Sequence, residues 1–250
     1  MANMIVAGNW KMNASRSAVT ELLSGLKQGL VGTSGAELVV FPPFPYLAQV
    51  QQELAASSIR IGVQNVCAAP KGAFTGEVSL AMAAEFGVTY VLVGHSERRA
   101  LFAEDDAQVA AKYVATQAAN LTPILCVGET LEQREQGQTL AVVNAQVQAI
   151  IDAAGADSFA NAVIAYEPVW AIGTGLTASP AQAQAVHKAI REHVATVAPV
   201  EAASVKILYG GSVTAASAAE LFAQADIDGG LVGGASLQAE SFLAIGQAAQ

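Results

Sequence analysis

The chain has 250 residues, of which 53% are hydrophobic and only 13% are charged. The apolar residues fall into many short segments, and none forms the run of about 18 that would predict a membrane span. The net charge of −9 disfavours nucleic acid and anionic membranes as partners. A chain of this length fits one large α/β barrel or two small domains.

The cysteines and the N-terminal residues indicate in which cellular compartment the protein is expected. Residues 1–6 carry no positive region and lead directly into an apolar stretch, so we expect no signal peptide. The two cysteines, Cys67 and Cys126, are far apart and outside any metal-ligand spacing. They favour a reducing compartment over a disulfide framework. We therefore expect a cytoplasmic protein.

Short apolar runs recur along the whole chain and predict strands. Segments with helical spacing lie between them, beginning with residues 16–30. A later helix has a clear start, with Ser179 as N-cap, Pro180 at the first position and Gln182 completing a capping box. The predicted strands are 5–7, 38–41, 59–63, 90–93, 123–127, 163–166, 205–209 and 230–232.

Apolar strands that alternate with helices indicate a parallel sheet covered on both faces. Eight such units in about 250 residues predict the α/β class and a closed (β/α)8 barrel with outer helices. A doubly wound fold usually carries G-x-G-x-x-G after its first strand, and residues 8–11 read GNWK instead. No linker or change of composition divides the chain, so we predict a single domain over residues 1–250.

The active face of a barrel lies at the C-terminal ends of its strands. Glu167 ends the sixth strand and precedes Pro168 and a glycine-rich loop, a pattern typical of a general base under a lid. A purely structural glutamate is the alternative. Strand-end residues that should converge with it are Asn9, Lys11, His95, Ser96, Glu97, Gly210, Gly211, Ser212, Gly233 and Gly234.

His95 follows the fourth strand, and Ser96 is placed to cap a short helix. The N-terminus of that helix would disfavour an imidazolium and keep the ring neutral and able to donate a hydrogen bond. A histidine satisfied by backbone groups is the alternative. His187 and His193 lie on a predicted helix, where we expect exposure to solvent or a packing role.

The remaining strand-end residues suggest an anion site. Lys11 is either an inward-facing cation or a solvated surface lysine. The glycine pairs on the last two strands match the usual phosphate site of a barrel, formed by backbone N–H groups and a short helix N-terminus. Cys126 is expected to pack, and Tyr209 to close the barrel or anchor a loop. The histidines are not at ligand spacing, so we expect no metal.

Several longer motifs include these residues, in the segments 9–13 (NWKMN), 72–77 (GAFTGE), 94–99 (GHSERR), 126–129 (CVGE), 166–177, 209–213 (YGGSV) and 228–235 (DGGLVGGA). In this order they resemble the triosephosphate isomerase family. The similarity extends from residue 4 to about residue 245, without a departure at a catalytic position. Residues 176–178 resemble the bacterial form of the motif.

The resemblance implies an isomerase of glycolysis and gluconeogenesis that interconverts dihydroxyacetone phosphate and D-glyceraldehyde 3-phosphate without a cofactor. Glu167 would be the base, and neutral His95 the electrophile that shuttles protons. Lys11 and Asn9 would assist at the phosphate and the developing oxyanion, supported by Ser96 and Glu97. The implied phosphate ligands are Gly173, Ser212, Gly233 and Gly234.

The same resemblance implies a closing lid and a homodimer. A closed lid would bond the Tyr209 hydroxyl to the Ala178 backbone and Ser212 to the Gly175 backbone. The long loop 65–79, with Phe74 and Thr75, would insert beside the active site of a second copy of the chain. The implied lid residues are Pro168, Val169, Trp170, Ala171, Ile172, Gly173, Thr174, Gly175, Leu176, Thr177 and Ala178.

Other readings stay open. A metal-dependent sugar-phosphate epimerase would need a cluster of histidines and aspartates at the strand ends. A Schiff-base aldolase would need a lysine on a central strand, where this chain carries Glu167. A barrel that binds a phosphate ligand or a protein without catalysis would typically lose one of Asn9, Lys11, His95 and Glu167.

Overall fold

The computed structural model describes residues 4–30, 35–172 and 177–249. Short 3-10 turns occur at Phe44–Tyr46, Ala156–Asn161, Val169–Ala171 and Gly234–Leu237. The strands are β1 Ile5–Asn9, β2 Glu37–Phe41, β3 Arg60–Val63, β4 Val88–Val93, β5 Thr122–Val127, β6 Val163–Tyr166, β7 Lys206–Tyr209 and β8 Gly229–Val232. The helices are α1 Arg16–Gly29, α2 Leu47–Leu54, α3 Leu80–Ala84, α4 Ser96–Phe102, α5 Asp106–Ala118, α6 Leu131–Glu135, α7 Thr139–Ala154, α8 Pro180–Ala195, α9 Pro199–Ser204, α10 Ala215–Phe222 and α11 Ala239–Ala248.

The strands form one closed parallel barrel in chain order. Each strand pairs with the next, and β1 closes the barrel by pairing with β8, with Ile5 opposite Gly229. Because every connection is a crossover, the helices lie outside the barrel. The predicted (β/α)8 fold is therefore confirmed.

The core has two layers, which follow from the alternation of side chains along each strand. Outward residues such as Val6 and Ile164 pack under the helices. Inward residues, such as Ala7 and Ala165, fill the interior of the barrel. Glu167 continues the inward phase of β6 by one step, which aims its side chain at the mouth of the barrel.

Most element boundaries agree with the sequence to within two residues. The start of α8 is as predicted, because Ser179 and Gln182 form a capping box and Pro180 is the first helical residue. Strand β7 begins one residue later than predicted. Val205 instead caps the C-terminal end of α9, since its N–H donates to Glu201 O at 2.7 Å.

No helix in the described ranges is long and apolar enough to cross a membrane.

The His187 ring is packed inside the fold, which agrees with one of its two expected environments. It is fully buried, with its ring edge-on to Tyr166 at a centroid distance of 5.7 Å. Nδ1 lies 3.2 Å from Asp226 O, and since a carbonyl only accepts, Nδ1 carries the hydrogen. Nε2 has no hydrogen-bond partner among the described residues. Burial lowers the pKa of His187 to about 4.

This histidine should make the fold sensitive to acid. The unfolded chain binds a proton at His187 near pH 6.5, whereas the folded chain does so only near pH 4, so stability falls between these values. A displacement of this size corresponds to roughly 3 kcal/mol. In urea unfolding, the stability advantage of the unmodified protein over His187→Asn should shrink as the pH falls from 7 towards 4. A difference that does not change with pH would contradict this.

Candidate active site

The site centres on the carboxylate of Glu167, which is 1% exposed at the C-terminal end of β6. His95 Nε2 lies 3.0 Å from Oε1. The Ser96 N–H donates to Oε2 at 2.9 Å, and the Ser96 hydroxyl donates to Oε1 at 3.3 Å. The structure therefore brings together Glu167, His95 and Ser96, as the strand-end argument predicted, and gives a buried carboxylate the donors it needs.

The expected cap of α4 was wrong in one respect. His95, not Ser96, is the N-cap, because His95 Nδ1 accepts a hydrogen bond from Glu97 N–H at 3.2 Å. Gly94 has a φ of +75°, which turns the chain between β4 and the helix. With Nδ1 occupied as an acceptor, a neutral ring carries its hydrogen on Nε2 and donates it to Glu167.

The two buried groups shift each other's pKa. For Glu167, burial acts to raise the pKa, but His95 and the donors of Ser96 outweigh burial and lower it. For His95, burial acts to lower the pKa, but the charge and hydrogen bond of Glu167, together with the charge of Glu97, outweigh burial and raise the pKa. The helix N-terminus was expected to set the charge of this ring. That contact is present, yet the pKa of the ring is raised rather than lowered.

Lys11 and Asn9 meet these residues from β1. Lys11 Nζ donates to Glu97 Oε1 at 2.5 Å, and Glu97 Oε2 lies 3.8 Å from His95 Nδ1. A Cβ on Gly233 would lie 3.6 Å from Lys11 Cε, so β8 also ends beside this lysine. Asn9 Oδ1 accepts the Lys11 N–H at 3.0 Å. The inward interpretation of Lys11 therefore agrees with the structure.

Gln64 is a residue of this site that sequence reasoning missed. Its Nε2 donates to Lys11 O at 2.9 Å and to Phe41 O at 2.8 Å. Lys11 has a φ of +52°, which is unfavourable for a residue with a side chain. Gln64 and Asn9 hold the two backbone polar groups of Lys11 in that conformation. No local pattern could reveal this, since Gln64 belongs to a different strand end.

The glycine pairs lie at the same mouth of the barrel. A Cβ on Gly210 would be 2.9 Å from Glu167 Cγ, so only glycine leaves this carboxylate its room. Ser212 and Gly234 are exposed, Gly233 is half-buried, and Gly234 begins the short 3-10 turn after β8. The predicted phosphate ligand Gly173 lies outside the described residues.

The first part of the predicted lid is anchored by a second buried carboxylate, Glu129, which the sequence argument did not single out. Its Oε1 accepts hydrogen bonds from the Tyr166 hydroxyl at 3.0 Å, Trp170 Nε1 at 3.0 Å and Arg134 at 3.1 Å. The Arg134 guanidinium also lies 4.5 Å from the centre of the Trp170 ring. Residues 168–172 are thereby tied to the end of β5.

Only some of the contacts expected of a closed lid involve described residues. Lid residues 173–176, including Gly175 as the partner of Ser212, lie outside the described residues. Tyr209 is fully buried, and burial raises its pKa to about 12, while the Ala178 backbone acts to lower it. The Tyr209 hydroxyl has no hydrogen-bond partner among the described residues, so its bond to the Ala178 backbone in a closed lid stays a prediction.

Cys126 has the expected packing role. It is fully buried in the barrel interior, and burial raises its pKa well above the ordinary range. Across the described residues, no three His, Cys, Asp or Glu side chains are grouped so as to hold a metal ion.

The charge of Glu167 should be measurable at His95. Glu167→Gln removes the carboxylate that raises the pKa of His95 and leaves the burial that lowers it, so the pKa of His95 should fall. The measurement is the pH dependence of the imidazole 15N shifts. Glu97→Gln, which removes a carboxylate 3.8 Å from Nδ1, is the control and should have a smaller effect. An unchanged His95 titration in Glu167→Gln would sink this account of the pair.

Comparison with known proteins agrees with this geometry. The profile of the family described as Triosephosphate isomerase matches residues 4–249. A triosephosphate isomerase of Thiobacillus denitrificans is 60% identical over 249 residues, covering 100% of this chain and 99% of its own length. One of Alcanivorax borkumensis is 57% identical, covering 98% of each chain, and one of Pseudomonas entomophila is 55% identical, covering 100% and 99%. The chain therefore belongs to the triosephosphate isomerase family.

Proposed function

We propose that this chain interconverts dihydroxyacetone phosphate and D-glyceraldehyde 3-phosphate as a step of glycolysis and gluconeogenesis. The observation that carries the proposal is the buried Glu167 carboxylate, 3.0 Å from His95 Nε2 at the mouth of the barrel. A base beside an imidazole N–H donor suits proton transfer next to a carbonyl. The hydrogen that leaves one carbon is replaced on its neighbour, so the reaction needs no redox cofactor.

The proton step assigns a role to each residue of the pair. Glu167 takes a proton from C1 or C2 and returns it to the other carbon. His95 Nε2–H donates a hydrogen bond to the substrate oxygen on which negative charge develops in the enediol(ate). His95 then gives that oxygen its proton and takes the hydroxyl proton from the other oxygen, so one proton moves between the carbons and one between the oxygens. To reach substrate carbon, Glu167 must leave its hydrogen bonds to Ser96 and His95. Its departure also removes the main cause of the raised pKa of His95, which favours the neutral ring.

The negative charges around this site would repel an anionic substrate. Glu167 and Glu97 are carboxylates, and the whole chain has a net charge of −9. Lys11 supplies the nearby cation, and we assign the phosphate to backbone N–H groups of residues 173, 212, 233 and 234. The ion pair with Glu97 fixes the direction of Lys11 before the substrate arrives.

The segment 168–178 is proposed to close over the substrate. The enediol(ate) can eliminate phosphate, so excluding water while it exists protects the intermediate. The hydrogen bond from Trp170 to Glu129 supports a lid whose N-terminal end is fixed to the barrel.

The direct test is a coupled assay with purified protein and each triose phosphate. We expect isomerisation in both directions. It should survive a chelator, which would inactivate a metal-dependent epimerase, and borohydride with substrate, which would trap a Schiff-base aldolase. The absence of isomerisation would refute the proposed function.

Glu167→Asp tests the base. The shorter side chain retracts the carboxylate by one methylene, and positioning of a proton acceptor affects the transition state more than binding. We expect kcat to fall by about two orders of magnitude or more with little change in KM. Steady-state kinetics in both directions measures the effect, and a near-normal kcat would exclude Glu167 as the base.

We also propose that the chain works as a two-fold homodimer in the cytoplasm. Exposed apolar side chains occur on segments that follow β1, β3 and β4, which suits an interface: Met12 is 96% exposed, Phe74 50%, Leu101 75% and Phe102 66%. The base of the loop 65–79 is fastened by Cys67 N–H donating to Val78 O at 2.9 Å, while Phe74 and Thr75 are exposed. Cys67 and Cys126 are free thiols, which suits a reducing compartment.

A charge at Thr75 should weaken both association and activity. Thr75→Glu would place a carboxylate in the proposed interface, beside the Asn9, Lys11 and His95 of the second copy. Sedimentation and kinetics measured at the same protein concentrations should show dissociation together with a loss of activity. Val200→Glu is the matched control, since Val200 is 75% exposed on α9. A Thr75→Glu monomer with full activity would contradict the proposal.

A further inference from the structure

Helix α7 carries one polar side chain towards the active face of the barrel. Its buried residues Val143, Val147 and Ile150 pack against the core. Gln146 lies three residues after Val143 and four before Ile150, so it shares their side of the helix. Its amide reaches Gly128, directly after β5. The Gly128 N–H donates to Gln146 Oε1 at 2.8 Å, and Gln146 Nε2 donates to Gly128 O at 3.2 Å.

The two hydrogen bonds together are specific to an amide. Gly128 offers one donor and one acceptor, and the Gln146 side chain supplies the complementary pair from a single planar group. A carboxylate in the same place would accept from the N–H but face the carbonyl oxygen without a hydrogen. A thioether would satisfy neither group.

Gly128 lies in the segment 127–129, which holds the backbone around Glu167. The Glu167 N–H donates to Val127 O at 2.7 Å, and the Val169 N–H donates to Glu129 O at 3.2 Å. Between these bonds, Gly128 packs so closely that a Cβ would be 1.8 Å from Glu167 O. A shift of Gly128 is therefore passed directly to the backbone that carries Glu167 and begins the lid.

We propose that Gln146 is a positioning residue for Glu167 and acts through Gly128. It belongs to an outer helix, and its side chain hydrogen-bonds to Gly128 rather than to any described residue assigned to the substrate. By fixing segment 127–129 it holds residues 167–169, and with them the carboxylate and the start of the lid. The inference rests on the proposed function, in which Glu167 is the base.

The kinetic effect should separate catalysis from binding. The groups assigned to the phosphate follow β1, β6, β7 and β8. Gly128 holds the backbone after β6, so the groups after β1, β7 and β8 should keep their positions when Gly128 shifts. Gln146→Met should lower kcat about tenfold to a hundredfold and change KM by less than about threefold.

The pH profile gives a second measure of the same displacement. His95 and Ser96 lower the pKa of Glu167 in the intact site. A displaced carboxylate loses part of that effect, so the acid limb of kcat/KM should move to higher pH. A general loss of stability would not move this limb in the folded protein.

Two further variants make the test specific. Gln146→Glu keeps an acceptor for the Gly128 N–H and loses the donor, so its kcat should lie between those of the unmodified protein and Gln146→Met. Gln117→Met is the matched control. Gln117 on α5 also bonds a backbone carbonyl, with Nε2 2.6 Å from Ser158 O, and its described hydrogen-bond partners lie on α5 and in the 3-10 turn Ala156–Asn161. It should lose stability and keep its kcat and pH profile.

The outcomes distinguish this inference from the proposed function. No isomerisation by the unmodified protein would overturn the function, whatever Gln146 does. Given an active unmodified protein, a normal kcat and pH profile in folded Gln146→Met would overturn the positioning role, as would an equal change in Gln117→Met. Where Gln146→Met does not fold, Gln146→Glu decides in the same way: a lowered kcat at constant KM supports the role, and a normal kcat refutes it.

Discussion

A charged carboxylate buried at the mouth of the barrel is the constraint on which the site depends. Burying an ionised group is costly unless hydrogen bonds compensate it. Glu167 is 1% exposed and obtains its donors from His95 and Ser96, at the start of helix α4. Gly94 turns the chain to bring that helix start into place, and Gly210 leaves the carboxylate its space. Residues from strand ends that are far apart in sequence thus stabilise one buried carboxylate.

The same arrangement holds the base ready without fixing its position permanently. The hydrogen bonds to Glu167 come from groups that can also serve the substrate or water, so they can be exchanged when it moves. The backbone beneath is held more firmly, by Val127 O and Glu129 O on β5 and the segment after it. Lys11 follows the same principle. Asn9 and Gln64 secure its strained backbone, while its side chain is held by an ion pair with Glu97.

The fold and the contact between His95 and Glu167 were predictable because a closed parallel barrel brings its strand ends together. That rule placed Asn9, His95 and Glu167 in one site from their positions alone. It could not identify Gln64 or Gln146, since their partners are backbone groups of other strand ends and glutamines carry no distinctive spacing. The same rule also could not predict the direction in which the pKa of His95 is shifted. The pKa depends on a distance of 3.0 Å to Glu167, which no sequence pattern specifies.

The most direct test of Glu167 as a proton carrier is isotope exchange during isomerisation in deuterated water. A base that holds the substrate's proton as an acid can exchange it with solvent before returning it. We predict that the unmodified protein introduces solvent deuterium at the carbon next to the product carbonyl, and that Glu167→Gln introduces none even after long incubation. Product formed by the unmodified protein without any solvent deuterium, or the same incorporation in Glu167→Gln, would contradict the account.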